Sequence, residues 1–191
     1  SGLAEKIRRS LLDLNFLDVE LEINFRKLDK YTAHGFDEVE FLISTNPGES
    51  VKPLGMVASG GELSRIMLAI KTVLADSDDI PTRICDEIDT GISGRTAQKV
   101  SEKLMLIARS HQIICITHLP QIAAMADSHF EIAKSASQGR TITTIRLLDR
   151  QASVEELARL LGGARITEAV LKNAGEMKEL ADRTKYNRLK F

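Results

Sequence analysis

An apolar run, Thr82-Arg83-Ile84-Cys85, ends in two adjacent carboxylates, Asp86 and Glu87. A third, Asp89, follows, and then a Gly/Ser-rich turn, Thr90-Gly91-Ile92-Ser93-Gly94. A short apolar run bounded by Pro81 and such a turn reads as a buried strand. Two carboxylates where a strand leaves its sheet need a task or a partner, because an unpaired buried charge is unfavourable. The chemistry they suit is holding Mg²⁺ and polarising a water beside a nucleotide phosphate. Two groups flank them. Upstream lies Ala58-Ser59-Gly60-Gly61-Glu62-Leu63-Ser64-Arg65, and downstream Ile113-Ile114-Cys115-Ile116 ends in Thr117-His118. Glycines opening a helix expose backbone N–H groups at its positive end, which attracts anions, and Ser59 adds a hydroxyl. The bland alternatives are that Ser59 is an N-cap, the glycines only make the turn, and the Asp-Glu pair lies on a solvated face. On the residues alone both readings stand.

The elements that must position these groups follow from periodicity. After the glycines, Leu63, Ile66, Met67, Ile70, Val73 and Leu74 recur at helical spacing, and the helix is expected to end near Asp76-Ser77-Asp78-Asp79. Thr96 to Arg109 is expected to be a helix with Val100, Leu104 and Ile107 on one face. Strand, helix and strand in this order make a βαβ unit with parallel neighbouring strands. That would place Asp86, Glu87 and His118 on one sheet edge, where open α/β sheets bind ligands.

Further upstream, Ser1 to Phe16 carries Leu3, Ile7, Leu11 and Leu14 at helical spacing. This amphipathic helix opens without a clear cap and reads as the end of a longer one. Val19 to Phe25 and Val39 to Ile43 alternate, and are expected to form a hairpin around Tyr31–Gly35, with His34 a solvated turn residue. Downstream, Leu119 to Met125 reads as a short helix, Phe130–Ile132 and Thr141–Leu148 as a second hairpin around Ser135–Arg140, and Val154–Leu161 and Thr167–Ala181 as helices. The tail carries Arg183, Lys185, Arg188 and Lys190, read as a solvated end rather than a DNA contact.

Composition narrows the classes. With 191 residues, 43% apolar and 28% charged, the chain is long enough for one core and reads as globular. A net charge of −1 gives no general pull toward DNA or membrane. No apolar run reaches membrane-span length, so no membrane partner is expected. Aromatics at 4% without Trp give poor support to base stacking. Cys85 and Cys115, both inside apolar runs, read as buried reduced thiols of a cytoplasmic protein.

Taken together, the motifs resemble the ABC-type ATPase heads of the SMC-like family. Ala58 to Leu63 looks like the signature motif in its Glu-ending form, Ile84-Cys85-Asp86-Glu87 like Walker B with its catalytic Glu, Asp89 to Gly94 like the D-loop and His118 like the switch histidine. Thr45-Asn46-Pro47-Gly48-Glu49, Ser64-Arg65 and Arg95 extend the match. No Gly-x-x-x-x-Gly-Lys-[Ser/Thr] occurs, so the phosphate cradle is missing. In this family it lies in an N-terminal lobe beyond a coiled coil. The resemblance therefore implies an α/β fold: the C-terminal lobe of an ABC-type head (residues 18–191), a mainly parallel sheet flanked by helices with β-hairpin additions, preceded by a coiled-coil remnant (residues 1–17). Gln112 and Gln121 are not assigned the family's Q-loop role.

What the resemblance implies for function is an ATP-hydrolysing DNA repair or recombination protein, of which this part alone is inactive. Its cofactors would be ATP and Mg²⁺. Its partners would be its own N-terminal lobe, a second head in a homodimer that sandwiches ATP, and DNA, in the cytoplasm at the bacterial nucleoid. Asp86 would hold the metal, Glu87 activate water and His118 contact the γ-phosphate. Ser59, Gly60, Gly61 and Glu62 would bind nucleotide across the dimer, with Asp89 coupling the two sites. The alternatives are a head lobe of another SMC-like ATPase, or a mainly structural module for dimerisation and DNA tethering. A transporter nucleotide-binding domain fits less well, because Glu62 ends the signature.

Overall fold

The structure, a computed structural model, describes residues 2–57, 59–75, 80–137, 140–163 and 165–188. Ala58 of the signature run, the expected helix end at Asp76–Asp79, the tip of the second hairpin at 138–139, and Lys190 of the tail lie outside the described residues. The chain divides into two compact units, Ser1–Ile116 and Thr117–Phe191.

In the first unit, α1 (Gly2–Leu12) buries Ile7 and Leu11 completely and packs on α2 (Gly60–Val73) and β1 (Glu20–Thr32). The helix stops short of Phe16 because Asn15 adopts the left-handed region, φ +68°, which Asn tolerates better than most residues. Leu14 and Phe16 still turn inward, 1% and 8% exposed. β1 pairs antiparallel with β2 (Gly35–Ser44), and a two-residue β3 (Lys52–Pro53) adds to β2. This hairpin is longer than the alternation predicts. Pairing runs from Glu20↔Ser44 to Lys27↔Asp37, shifts register, and resumes at Thr32↔Gly35. The outer part is exposed on both faces, so its side chains need not alternate. Exposed His34 donates its N–H to Thr32 Oγ1 at the turn (3.1 Å), as a solvated turn residue does.

The βαβ unit forms as its pattern requires. β4 (Thr82–Cys85) and β5 (Gln112–Cys115) are parallel neighbours in register from Thr82↔Gln112 to Cys85↔Cys115, joined through α3 (Gly94–Ile107). α3 buries Val100, Leu104 and Ile107. Cys85 and Cys115 are free thiols; burial pushes both up, Cys115 to about 12 with the Cys85 thiol beside it adding to the rise. The opposite face of the pair is open: Ile84 is 71% exposed and Ile114 46%. Among the described residues these two strands are the only parallel pair, and the remaining pairing is antiparallel.

In the second unit, α4 (Pro120–Ala124) packs against α5 (Arg150–Gly162) and α6 (Glu168–Arg188), and β6 (Phe130–Ser137) pairs antiparallel with β7 (Arg140–Leu147). Asp149 caps α5 by accepting the Ala152 N–H (2.8 Å). Lys178, 8% exposed, donates to the carbonyls of Ala124 and Ala126 (2.9 and 3.1 Å) at the end of α4 and just past it, and burial pushes its ammonium down in pKa. The basic end of the chain is less solvated than its sequence suggests. Lys185, its own side chain largely covered, pairs with Asp127 (3.1 Å) and Asp182 (3.5 Å), while the exposed Arg183 pairs with Glu179 at 3.9 Å.

Parallel sheets ordinarily have both faces covered. The open face at Ile84, Ile114 and Ile116 should therefore make the isolated chain associate with itself. Analytical ultracentrifugation at rising concentration is expected to show reversible oligomers, and Ile84→Lys with Ile114→Lys to suppress them. A wild-type chain that stays monomeric throughout contradicts this reading.

Candidate functional site

β4 delivers the chain to Asp86, which is exposed at the carboxyl end of the strand. Asp86 Oδ1 accepts the Glu87 N–H at 2.9 Å, and its carbonyl accepts the Ser64 hydroxyl at 3.4 Å. Glu87 then takes φ +57°. A residue with a long side chain and no local hydrogen-bonding device rarely occupies that region, and strain of this kind costs about 1–3 kcal/mol. Its carbonyl accepts the Thr90 N–H (3.1 Å), closing a turn whose interior, Ile88 and Asp89, is 2% and 4% exposed.

Against this turn stands the first turn of α2. Ser59 is extended, and its Oγ accepts the Glu62 N–H at 3.5 Å while its carbonyl accepts the Leu63 N–H at 2.9 Å. The capping role open to Ser59 is thus realised. The glycines do more than turn the chain. A Cβ on Gly60 would lie 2.9 Å from Glu87 Oε2, and one on Gly61 would lie 2.8 Å from the Thr90 carbonyl oxygen and 3.0 Å from Thr90 Cβ. The Glu87 carboxylate therefore rests over the amino end of α2, where the helix dipole favours negative charge.

Of the residues singled out by sequence, the structure brings Ser59, Gly60, Gly61 and Glu62 together with Asp86, Glu87 and Asp89. His118 is exposed at the start of the second unit, where Thr117 Oγ1 accepts the Leu119 N–H (3.0 Å) before α4 begins. Among the described residues no three His, Cys, Asp or Glu side chains gather as a metal cluster. An exposed carboxylate at a strand end nevertheless suits Mg²⁺, which takes one or two carboxylates and completes its shell with water and phosphate oxygens.

No protein-family model matches the chain. DNA repair protein RecN of Halalkalibacterium halodurans is 44% identical over 189 residues, which is 97% of this chain and 34% of that protein. RecN of Bacillus subtilis is 49% identical over 154 residues, 81% of this chain and 27% of that protein. RecN of Vibrio cholerae is 43% identical over 172 residues, 90% and 31%. The chain belongs to the RecN family. It spans about a third of the length of these relatives. Solved structures place the fold among SMC heads. The Smc head domain of Pyrococcus yayanosii, with a coiled coil and joint, aligns at TM-score 0.59 and 21% identity over 81% of this chain and 28% of that one. The Pyrococcus furiosus head with an extended coiled coil aligns at 0.54 and 19% over 84% and 37%.

In this RecN-family chain one participant escaped the sequence reading. Arg65 was visible only as the end of the signature string, yet it is 9% exposed and donates from Nη1 to the Thr90 carbonyl at 2.8 Å. The available signal was its spacing. Four residues after Gly61, it stands on the same helix face and meets whatever Gly61 meets.

The two glycines should respond differently to alanine. Gly to Ala in a helix ordinarily gains about 0.5–1 kcal/mol, while overpacking costs about 1–3 kcal/mol. At Gly60 the colliding atom ends a flexible side chain, whereas at Gly61 it is backbone. Denaturant titration is expected to find Gly60→Ala neutral or stabilising and Gly61→Ala destabilising by about 1 kcal/mol; equal responses would refute the close approach.

Proposed function

We propose that the chain serves as the C-terminal lobe of an ATP-hydrolysing, SMC-like DNA repair protein. In this reading it supplies the signature turn, Walker B, D-loop and switch histidine to a site completed by an N-terminal lobe and a second head. The observation that carries this is the apposition of the α2 glycines to the Asp86–Thr90 turn in a chain of this family. Glu87 held at φ +57° weighs against a merely structural module, which gains nothing from a strained carboxylate at a strand edge.

Within the assembled head, Asp86 would hold Mg²⁺. When bound, that ion neutralises charge on the phosphate oxygens. Glu87 swings from Gly60 toward the nucleotide, orients the attacking water and takes its proton. His118 donates to the γ-phosphate and responds to its loss. Ser59 and the Gly60 and Gly61 amides, with Glu62 in the same turn, close the γ-phosphate cage of the second copy, and Asp89 links the two sites at the interface. ATP-driven dimerisation is described for a solved SMC ATPase of this fold. Because the chain carries no phosphate cradle, it is inert alone. Full-length protein acts on DNA at the bacterial nucleoid. No helix among the described residues is long and apolar enough to cross a membrane.

Glu87→Gln in the full-length polypeptide keeps the shape of the side chain and removes the base. It is expected to bind ATP, to accumulate as an ATP-bound dimer on size-exclusion chromatography, and to lose roughly 100-fold or more in turnover. Wild-type turnover in that variant would remove Glu87 from the chemistry.

A further inference from the structure

Arg65 lies one helical turn beyond Gly61 and is 9% exposed. Its Nη1 donates to the Thr90 carbonyl at 2.8 Å and stands 3.4 Å from where a Cβ on Gly61 would be. Its Cζ is 5.6 Å from the centroid of the Phe16 ring, itself buried after α1. Its Nε is buried and has no hydrogen-bond partner among the described residues. Burial pushes its pKa down, with the Glu62 charge opposing that shift.

Such a guanidinium is a poor way to fill space. A buried charge meeting one carbonyl and one ring face, with a donor left over, stabilises a fold less than an apolar side chain of similar length. What it does hold is the Thr90 carbonyl. Within that turn the Thr90 N–H meets the Glu87 carbonyl at an ordinary 3.1 Å, the Ile92 N–H reaches the Asp89 carbonyl only at 3.4 Å, and Gly91 follows at φ +73°. Ser64 adds only the 3.4 Å contact to Asp86. The shortest of these tethers comes from Arg65.

We infer that Arg65 is a positioning residue that holds the Ile88–Gly91 turn, with Asp89 in it, against the first turn of α2, so that both segments meet a second copy of the chain as one preformed surface. This rests on the ATP-sandwich reading above. Without Arg65 each full-length polypeptide still binds nucleotide, but pairing has to order the turn first and is weakened accordingly.

The test uses the full-length polypeptide. Arg65→Met fills the space and deletes the donor, and Arg65→Lys restores a charge with a shorter reach. In a Glu87→Gln background, Arg65→Met is expected to bind Mg-ATP within about twofold of the parent, while the dissociation constant of the ATP-bound dimer rises by roughly tenfold or more. With Glu87 intact, kcat should fall by a similar factor and KM change little. The melting temperature should be equal to or above that of the parent, and Arg65→Lys should recover part of the pairing. A merely structural role would lower the melting temperature and pairing together, with no recovery in Arg65→Lys, and that result overturns the inference. So does pairing and turnover within about twofold of the parent in Arg65→Met. If Glu87→Gln alone fails to trap a dimer, the ATP-sandwich reading fails and takes this inference with it; if it traps one and Arg65→Met pairs as tightly, only the inference fails.

Discussion

A Cβ on Gly61 would stand 2.8 Å from the Thr90 carbonyl oxygen, closer than real Cβ contacts come. The backbone of α2 and the backbone of the turn after β4 therefore meet directly, and the rest of the site depends on that approach. It brings the amino end of a helix within reach of a carboxylate-bearing turn. On the same helix face Arg65 reaches across to the same carbonyl.

Local and non-local features differ in how far the sequence discloses them. The parallel pairing of β4 and β5 was legible because a strand, a helical repeat and a second strand permit few topologies, and the register Cys85↔Cys115 puts both strand ends on one edge. The helices were legible as periodic stripes, although α1 ends earlier and α6 runs further than the stripes suggest. Helix ends depend on single residues such as Asn15, whose left-handed backbone no periodicity reveals. The Glu87 conformation was hidden for the opposite reason: Glu carries no turn signature, so its positive φ is imposed by the surrounding packing. Arg65 was hidden because its partner lies 25 residues away in the chain.

The first unit also shows what a parallel pair lacks when, among the described residues, it has no further strand beside it. Its inner face, with Cys85 and Cys115, lies against the protein, while Ile84 and Ile114 face outward. The same two strands that place Asp86 and Glu87 at their carboxyl ends thus carry an uncovered apolar face. Both facts fit the lobe proposed above, in a chain that covers about a third of its RecN relatives.

The most direct test is to assay ATP hydrolysis by this chain alone and after mixing with the separately expressed N-terminal part of the full-length polypeptide. Turnover that emerges only in the mixture is the predicted result. Turnover by the chain alone would mean that it holds a phosphate cradle of its own, and would contradict the division of the site on which the account rests.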